Sequence, residues 1–279
     1  MNRQSRCGWN PDRIRRLVLT VFLYIAFGAG ALGVSLLLIL PIVITSIDRR
    51  RRVSRVRLIN RLAFNSFTRS GIALGVFDIA FEHDDLLDQP GQLIIANHPT
   101  LLDIVFLLGR IPDANCVIKS NLLKNPFLAM PVFFADYIQN VEGEAMLDEC
   151  ISNLERGNSL IIFPEGTRTK QSNSFVFKRG AAYLMLMSNC LVRPVYISCD
   201  PPALGKKDHW YMVPERKITY RLSVLDELDL KQIRQNENVK VPLKSRRLTL
   251  WLADWYHKMN LEGPKPPLEI IDLARLVNK

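Results

Sequence analysis

From Leu17 to Ile47 the chain carries no charged side chain over 31 residues, well past the roughly 18 that mark a membrane segment. Beyond about residue 62 the pattern changes to short, β-branched apolar runs that alternate with stretches of helical period, the arrangement of a layered α/β domain. It predicts strands at 75–82, 93–96, 115–119, 132–138, 159–163, 192–198 and 217–224. Helices are predicted near 62–72, 100–109, 121–129, 144–156, 177–189 and 243–260. After a proline-marked stretch at 201–208 a two-strand element is expected before the last helix. No internal repeat or Gly/Ser-rich linker divides this part, so residues 62–279 read as one domain with a mixed central sheet flanked by helices, and 1–61 as a membrane anchor.

As a single helix the apolar run would be about 46 Å long, against a hydrocarbon core of about 30 Å. Gly28, Gly30 and Gly33 fall at its centre, and glycines there permit a turn. A re-entrant or in-plane hairpin is the preferred reading, with a close-packing glycine stripe in one span as the alternative. Pro41 predicts a kink. Ala29-Gly30-Ala31 resembles a cleavage site, yet sixteen more apolar residues follow it, which favours retention over a signal peptide.

The net charge of +10 sharpens this picture. Residues 1–61 hold twelve Arg against Asp12 and Asp48, a balance of +10, while the rest of the chain sums to zero. Arginines flanking an apolar run on both sides point to anionic head groups and to both ends on the cytoplasmic face. No zinc, RRM-type or helix-turn-helix signature accompanies them, so no nucleic-acid partner is expected. Cys7, Cys116, Cys150, Cys190 and Cys199 form no CxxC pair, which argues against a zinc site or a disulfide framework and leaves no metal expected.

Two clusters carry chemistry. Asn97-His98-Pro99-Thr100-Leu101-Leu102-Asp103 follows a predicted strand. Pro99 disfavours the helical region for His98 and suits the first turn of a helix, so Asp103, one turn in, reaches back toward the imidazole. An Asp that accepts from Nδ1 fixes the tautomer and leaves Nε2 as a base. The chain has no G-x-S-x-G elbow, so direct attack by a substrate hydroxyl is simpler than a covalent intermediate. Phe163-Pro164-Glu165-Gly166-Thr167-Arg168 ends a second strand. Arg168 suits an anionic head group, Thr167 and the Gly166 backbone are donors, and Glu165 is placed to orient the Arg or a hydroxyl. Ligand sites of α/β sheets gather at strand carboxyl ends, which favours one shared pocket. A helix-start His beside an unrelated Asp and a local Glu–Arg pair are the alternatives. The aromatics of 248–256 read as core.

Together, in order and about 65 residues apart, these clusters resemble the N-H-x-x-x-x-D and F-P-E-G-T-R boxes of the glycerolipid acyltransferase family. Phe177-Lys178-Arg179-Gly180-Ala181 and Val192-Arg193-Pro194-Val195-Tyr196-Ile197 resemble its later F-K-x-G-A and V-x-P-V-x-I segments. The resemblance covers about residues 70–200. It implies that His98 is the catalytic base and Asp103 its partner, and that Glu165, Gly166, Thr167 and Arg168 bind the acceptor. It also implies no bound cofactor, with acyl-coenzyme A or acyl carrier protein as co-substrate and membrane lipids as partners. Many members carry an arginine between the boxes for acceptor phosphate. Residues 125–155 here contain no Lys or Arg, and Gln139 or Asn140 stands near that place. Asn97, Lys119, Lys124 and Lys178 are then the supporting candidates. A lipid or polyene-type acceptor without glycerol phosphate stays open, as does a lipid-binding protein without catalysis.

Overall fold

In the computed structural model, residues 10–141, 143–169 and 175–264 are described; Arg3, Arg6 and Cys7 lie outside them. The apolar run forms one unbroken helix, α1 (Pro11–Thr45), which contains a π-helical turn at Ser35–Ile39. A three-residue break leads into α2 (Arg49–Ala73), capped by Asp48. The hairpin expected at Gly28–Gly33 is therefore absent. Glycine tolerates the helix as well as the turn, and with apolar neighbours on both sides nothing there satisfies an opened backbone. Gly28 serves close packing: a Cβ there would sit 3.7 Å from the Phe127 ring. The wide turn at Ser35–Ile39 ends next to Pro41, where the proline ring and its missing N–H disturb a regular ladder. The chain reverses instead at Ser46–Asp48, and α1 and α2 pack against each other as a pair.

Both helices are seated on the domain. Arg16, 1% exposed, donates to the carbonyls of Pro214, Glu215 and Arg216, and its Nε pairs with Asp12 at 2.8 Å. Arg57 is likewise buried and donates to Ala135 O at 2.9 Å. Two of the arginines that flank the apolar run thus cap protein carbonyls. The face of α1 turned from the domain, including Val18, Phe22, Ile25, Leu36, Leu37 and Ile44, is exposed and apolar.

Seven strands follow the order β1-β7-β6-β2-β5-β3-β4. They are β1 (Phe77–Glu82), β2 (Gln92–Ala96), β3 (Asn115–Ile118), β4 (Ile138–Gln139), β5 (Leu160–Ile162), β6 (Leu191–Asp200) and β7 (Ile218–Val224). All neighbours are parallel except the β6–β7 pair. The remaining helices are α3 (Asp103–Arg110), α4 (Ala129–Phe134), α5 (Glu144–Glu155), α6 (Arg179–Met187), α7 (Lys231–Gln235) and α8 (Val241–Glu262). Strand alternation sends Ile94, Ala96 and Ile161 to a core shared with α1, α2 and α3, and Leu93, Ile95 and Leu160 to one shared with α5, α6 and α8.

Three expected elements differ. In place of a helix near 121–129 there is a 3-10 turn at Ser120–Lys124, and α4 starts only at Ala129. Residues 132–138 begin as helix α4 and only their end is strand β4, because a short apolar run reads equally as a buried strand or a helix turn. The two-strand element after 208 is the single strand β7, which lies between β1 and β6 in the sheet. The cysteines at 116, 150, 190 and 199 are free thiols.

Candidate functional site

The parallel strands β6, β2, β5, β3 and β4 end on one edge of the sheet. One residue past β2, the Asn97 side chain acts as an extra peptide: Oδ1 accepts from Ile197 N and Nδ2 donates to Ile197 O, both at 2.7 Å. This continues the β2–β6 ladder and fixes where His98 leaves the sheet. Pro99 keeps His98 out of the helix, and α3 opens at Asp103.

Asp103 is fully buried. Its Oδ2 faces His98 Nδ1 at 2.8 Å and accepts from Thr100 N at 2.7 Å, while Oδ1 accepts from Thr100 Oγ1 at 2.6 Å. Three donors therefore surround one carboxylate at a helix start, the end of a helix dipole that favours an anion. With the carboxylate as acceptor, Nδ1 carries the proton and Nε2 keeps its lone pair. The imidazole remains 18% exposed, so it is reachable.

The adjacent strand, β5, delivers the second cluster. Phe163 stacks on the imidazole with centroids 4.2 Å apart and planes 19° apart. Glu165 turns inward, away from a pairing with Arg168: its Oε1 accepts from His98 N at 3.0 Å and from Thr169 Oγ1 at 2.7 Å. Thr169 N in turn donates to His98 O at 2.6 Å. The His98 peptide is thus gripped at both its N–H and its carbonyl. Burial holds the Glu165 carboxyl above its usual range, with the two hydrogen bonds working the other way.

Arg168 Nη1 donates to Leu204 O at 2.9 Å and Gly205 O at 2.7 Å, and Leu101 N donates to the same Leu204 carbonyl. The arginine therefore ties the 201–208 stretch to both boxes. Gly166, at φ +64°, closes the loop through Gly166 N to Phe163 O. The Lys178 side chain lies where a Cβ would project, 2.9 Å from its Cε, and Lys178 N donates to Pro164 O. Thr167 is half-buried beside them.

Lys119 follows β3, two strands from β2, or about 10 Å across the sheet, and is exposed, as is Lys124 at the end of the 3-10 turn Ser120–Lys124. Gln139 ends β4 one strand further on. It lines a cavity of about 590 Å³ with Arg49, Arg52 and the apolar Val132, Phe133 and Met146. Cations thus reach this part of the edge from α2, although Arg49 already forks onto Asp136 at 3.0 and 3.1 Å. Thr100, Thr169 and Phe163 act as partners of His98 and Asp103; none of the three carries a chemical signal that spacing alone singles out. Among the described residues no cluster of His, Cys, Asp or Glu could hold a metal ion.

Glu165→Gln tests the buried carboxyl. A carboxyl with a raised native pKa stabilises fully below its unfolded value, near 4.5, and that contribution is lost as the pH rises through the raised value. Glutamine does not titrate. The Tm difference between wild type and Glu165→Gln is expected to be larger at pH 5 than at pH 7.5; a difference that widens toward pH 7.5 would contradict the burial assignment.

Residues 78–198 match the family model described as Acyltransferase. The chain is 31% identical over 117 residues to the 1-acyl-sn-glycerol-3-phosphate acyltransferase of Helicobacter pylori, a match that covers 39% of this chain and 49% of that one. It is 25% identical over 176 residues to the alpha form of the same enzyme from Mus musculus, covering 60% of each. The chain thus spans about half to three fifths of the length of these curated relatives. The crystal structure of the 1-acyl-sn-glycerophosphate (LPA) acyltransferase PlsC from Thermotoga maritima matches with a TM-score of 0.64 at 21% identity, covering 91% of this chain and 99% of that one, a likeness of fold.

Proposed function

We propose, from the match of residues 78–198 to the Acyltransferase family model and the likeness to curated 1-acyl-sn-glycerol-3-phosphate acyltransferases, that the chain is a glycerolipid acyltransferase that moves a fatty acyl group from a thioester to the free hydroxyl of a 1-acylglycerol-3-phosphate. The observation that carries the reading is the His98–Asp103 contact at 2.8 Å with Nε2 left to act. Nε2 takes the hydroxyl proton as the oxygen attacks the thioester carbonyl, and Asp103 steadies the imidazolium. The carbon–sulfur bond then breaks, the thiolate leaves, and the imidazolium proton goes to sulfur. A thiolate leaves readily, so one base is enough. Coenzyme A or acyl carrier protein supplies the thioester.

Glu165 and Thr169 position His98 in this reading. Arg168 keeps its guanidinium edge beyond Nη1 for the acceptor phosphate, with Gly166, Thr167 and Lys178 beside it and Lys119 at the end of β3 as a more distant cation. The exposed apolar face of α1 supports a bilayer-bound enzyme with α1 lying along the surface, its site on the cytoplasmic side. Because α1 and α2 remain seated on the domain along their length, an in-plane helix fits better than a span that leaves it.

The absence of Lys and Arg from 125–155 favours a second reading, the same acyl transfer to an alcohol without phosphate. Purified enzyme offered a labelled acyl thioester and a panel of acceptors decides between them. Lysophosphatidate is expected to be acylated at least about ten-fold faster than any non-phosphate alcohol, as one charge-assisted phosphate contact implies. Preference for a neutral alcohol would establish the second reading, and acylation of none of them would remove both.

A further inference from the structure

We infer that residues 206–212 form a second lipid-contacting segment that seats the site rim on an anionic bilayer surface, an inference that rests on the bilayer-bound reading above. The segment is well tied down. Leu204 and Gly205 carbonyls are held by Arg168, Gly205 N donates to Asp208 Oδ2 at 2.9 Å, and Met212 N donates to His209 O. The rings of His209 and Tyr211 stack at 5.2 Å with planes 6° apart. Yet this ordered loop presents Lys206, Lys207, Trp210, Tyr211 and Met212 to solvent. Large apolar side chains clustered at an ordered loop tip mark a contact surface. Rings with one polar end, flanked by lysines, suit the head-group level of an anionic bilayer.

Continuity with α1 selects the bilayer as the occupant. Trp210 packs on Tyr24 of α1 with centroids 5.4 Å apart, and Arg13 Nε donates to Val213 O at 3.0 Å. Val18, Phe22 and Ile25, all exposed, lie within two turns of Tyr24. The apolar face of the helix therefore runs on into the loop. The loop in turn shares its Leu204 carbonyl with Leu101 and Arg168, so the surface that meets lipid abuts the rim of the His98 site.

The full chain is mixed with phosphatidylcholine/phosphatidylglycerol vesicles whose acyl chains are brominated. Tryptophan quenching is expected in the wild type and to fall at least about two-fold in Trp210→Phe. Lys206→Glu/Lys207→Glu is expected to weaken vesicle binding about ten-fold or more, in keeping with the contribution of surface lysines, while acyl transfer to detergent-dispersed acceptor stays unchanged. Vesicle binding by the wild type with quenching and affinity untouched by these substitutions would overturn this inference alone and leave α1 as the sole lipid contact, with the loop facing a protein instead. Failure of the wild type to bind vesicles at all would overturn the bilayer-bound reading together with it.

Discussion

His98→Ala is expected to lower kcat/KM by at least about 10²-fold, the range lost with a general base, while circular dichroism and Tm stay close to wild type. The ring is 18% exposed and its main packing partner is Phe163, so its removal leaves a shallow gap. The backbone grip by Glu165 and Thr169 acts on the His98 peptide and survives the truncation. A turnover within three-fold of wild type would mean that another group takes the hydroxyl proton. Acyl transfer measured with saturating thioester separates this chemical loss from weakened donor binding.

Asp103→Asn is expected to cost as much in rate, on the order of 10³-fold, and something in stability as well. The carboxylate accepts from Nδ1, from Thr100 N and from Thr100 Oγ1, and an amide has only one acceptor oxygen for these three donors. If its NH2 takes the Oδ2 place, it meets the Thr100 N–H donor to donor, and the imidazole moves its proton to Nε2, where it can no longer act as a base. If the oxygen stays there, the Thr100 hydroxyl must rotate. Either way a fully buried polar group is left unpaired, at about 1–3 kcal/mol. Nitrogen chemical shifts of the imidazole report the tautomer directly. Full activity with an unchanged Nδ1–H signal would show that Asp103 does not set it.

The parts legible in the sequence were those with a local cause. Short β-branched runs placed β2, β5, β6 and β7 nearly to the residue, and Pro99 explains why a histidine and a carboxylate five positions apart meet when a straight helix would point them apart. What escaped was decided by partners distant in sequence. Glu165 looked like the mate of Arg168, one turn away. Instead it binds His98 N across 67 residues, because a buried carboxylate is drawn to backbone donors at the adjacent strand end. Arg168 spends Nη1 on carbonyls 36 and 37 residues on. Gly28 carried the signal of a turn, yet Phe127 packs against it and the helix runs through. The apolar stretch at 132–138 offered no period long enough to tell α4 from a strand.

The guanidinium of Arg16 gives α1 a role beyond lipid affinity. Because that one side chain gathers three carbonyls at 214–216, removing the helix takes away the group that fixes the stretch leading into β7. Trimming the chain to obtain a tidy water-borne fragment would therefore loosen the entry to β7, the strand that joins β1 to the rest of the sheet. Helix and sheet are one folding unit here, and a minimal enzyme cut at the end of the greasy run would be missing part of its own scaffold.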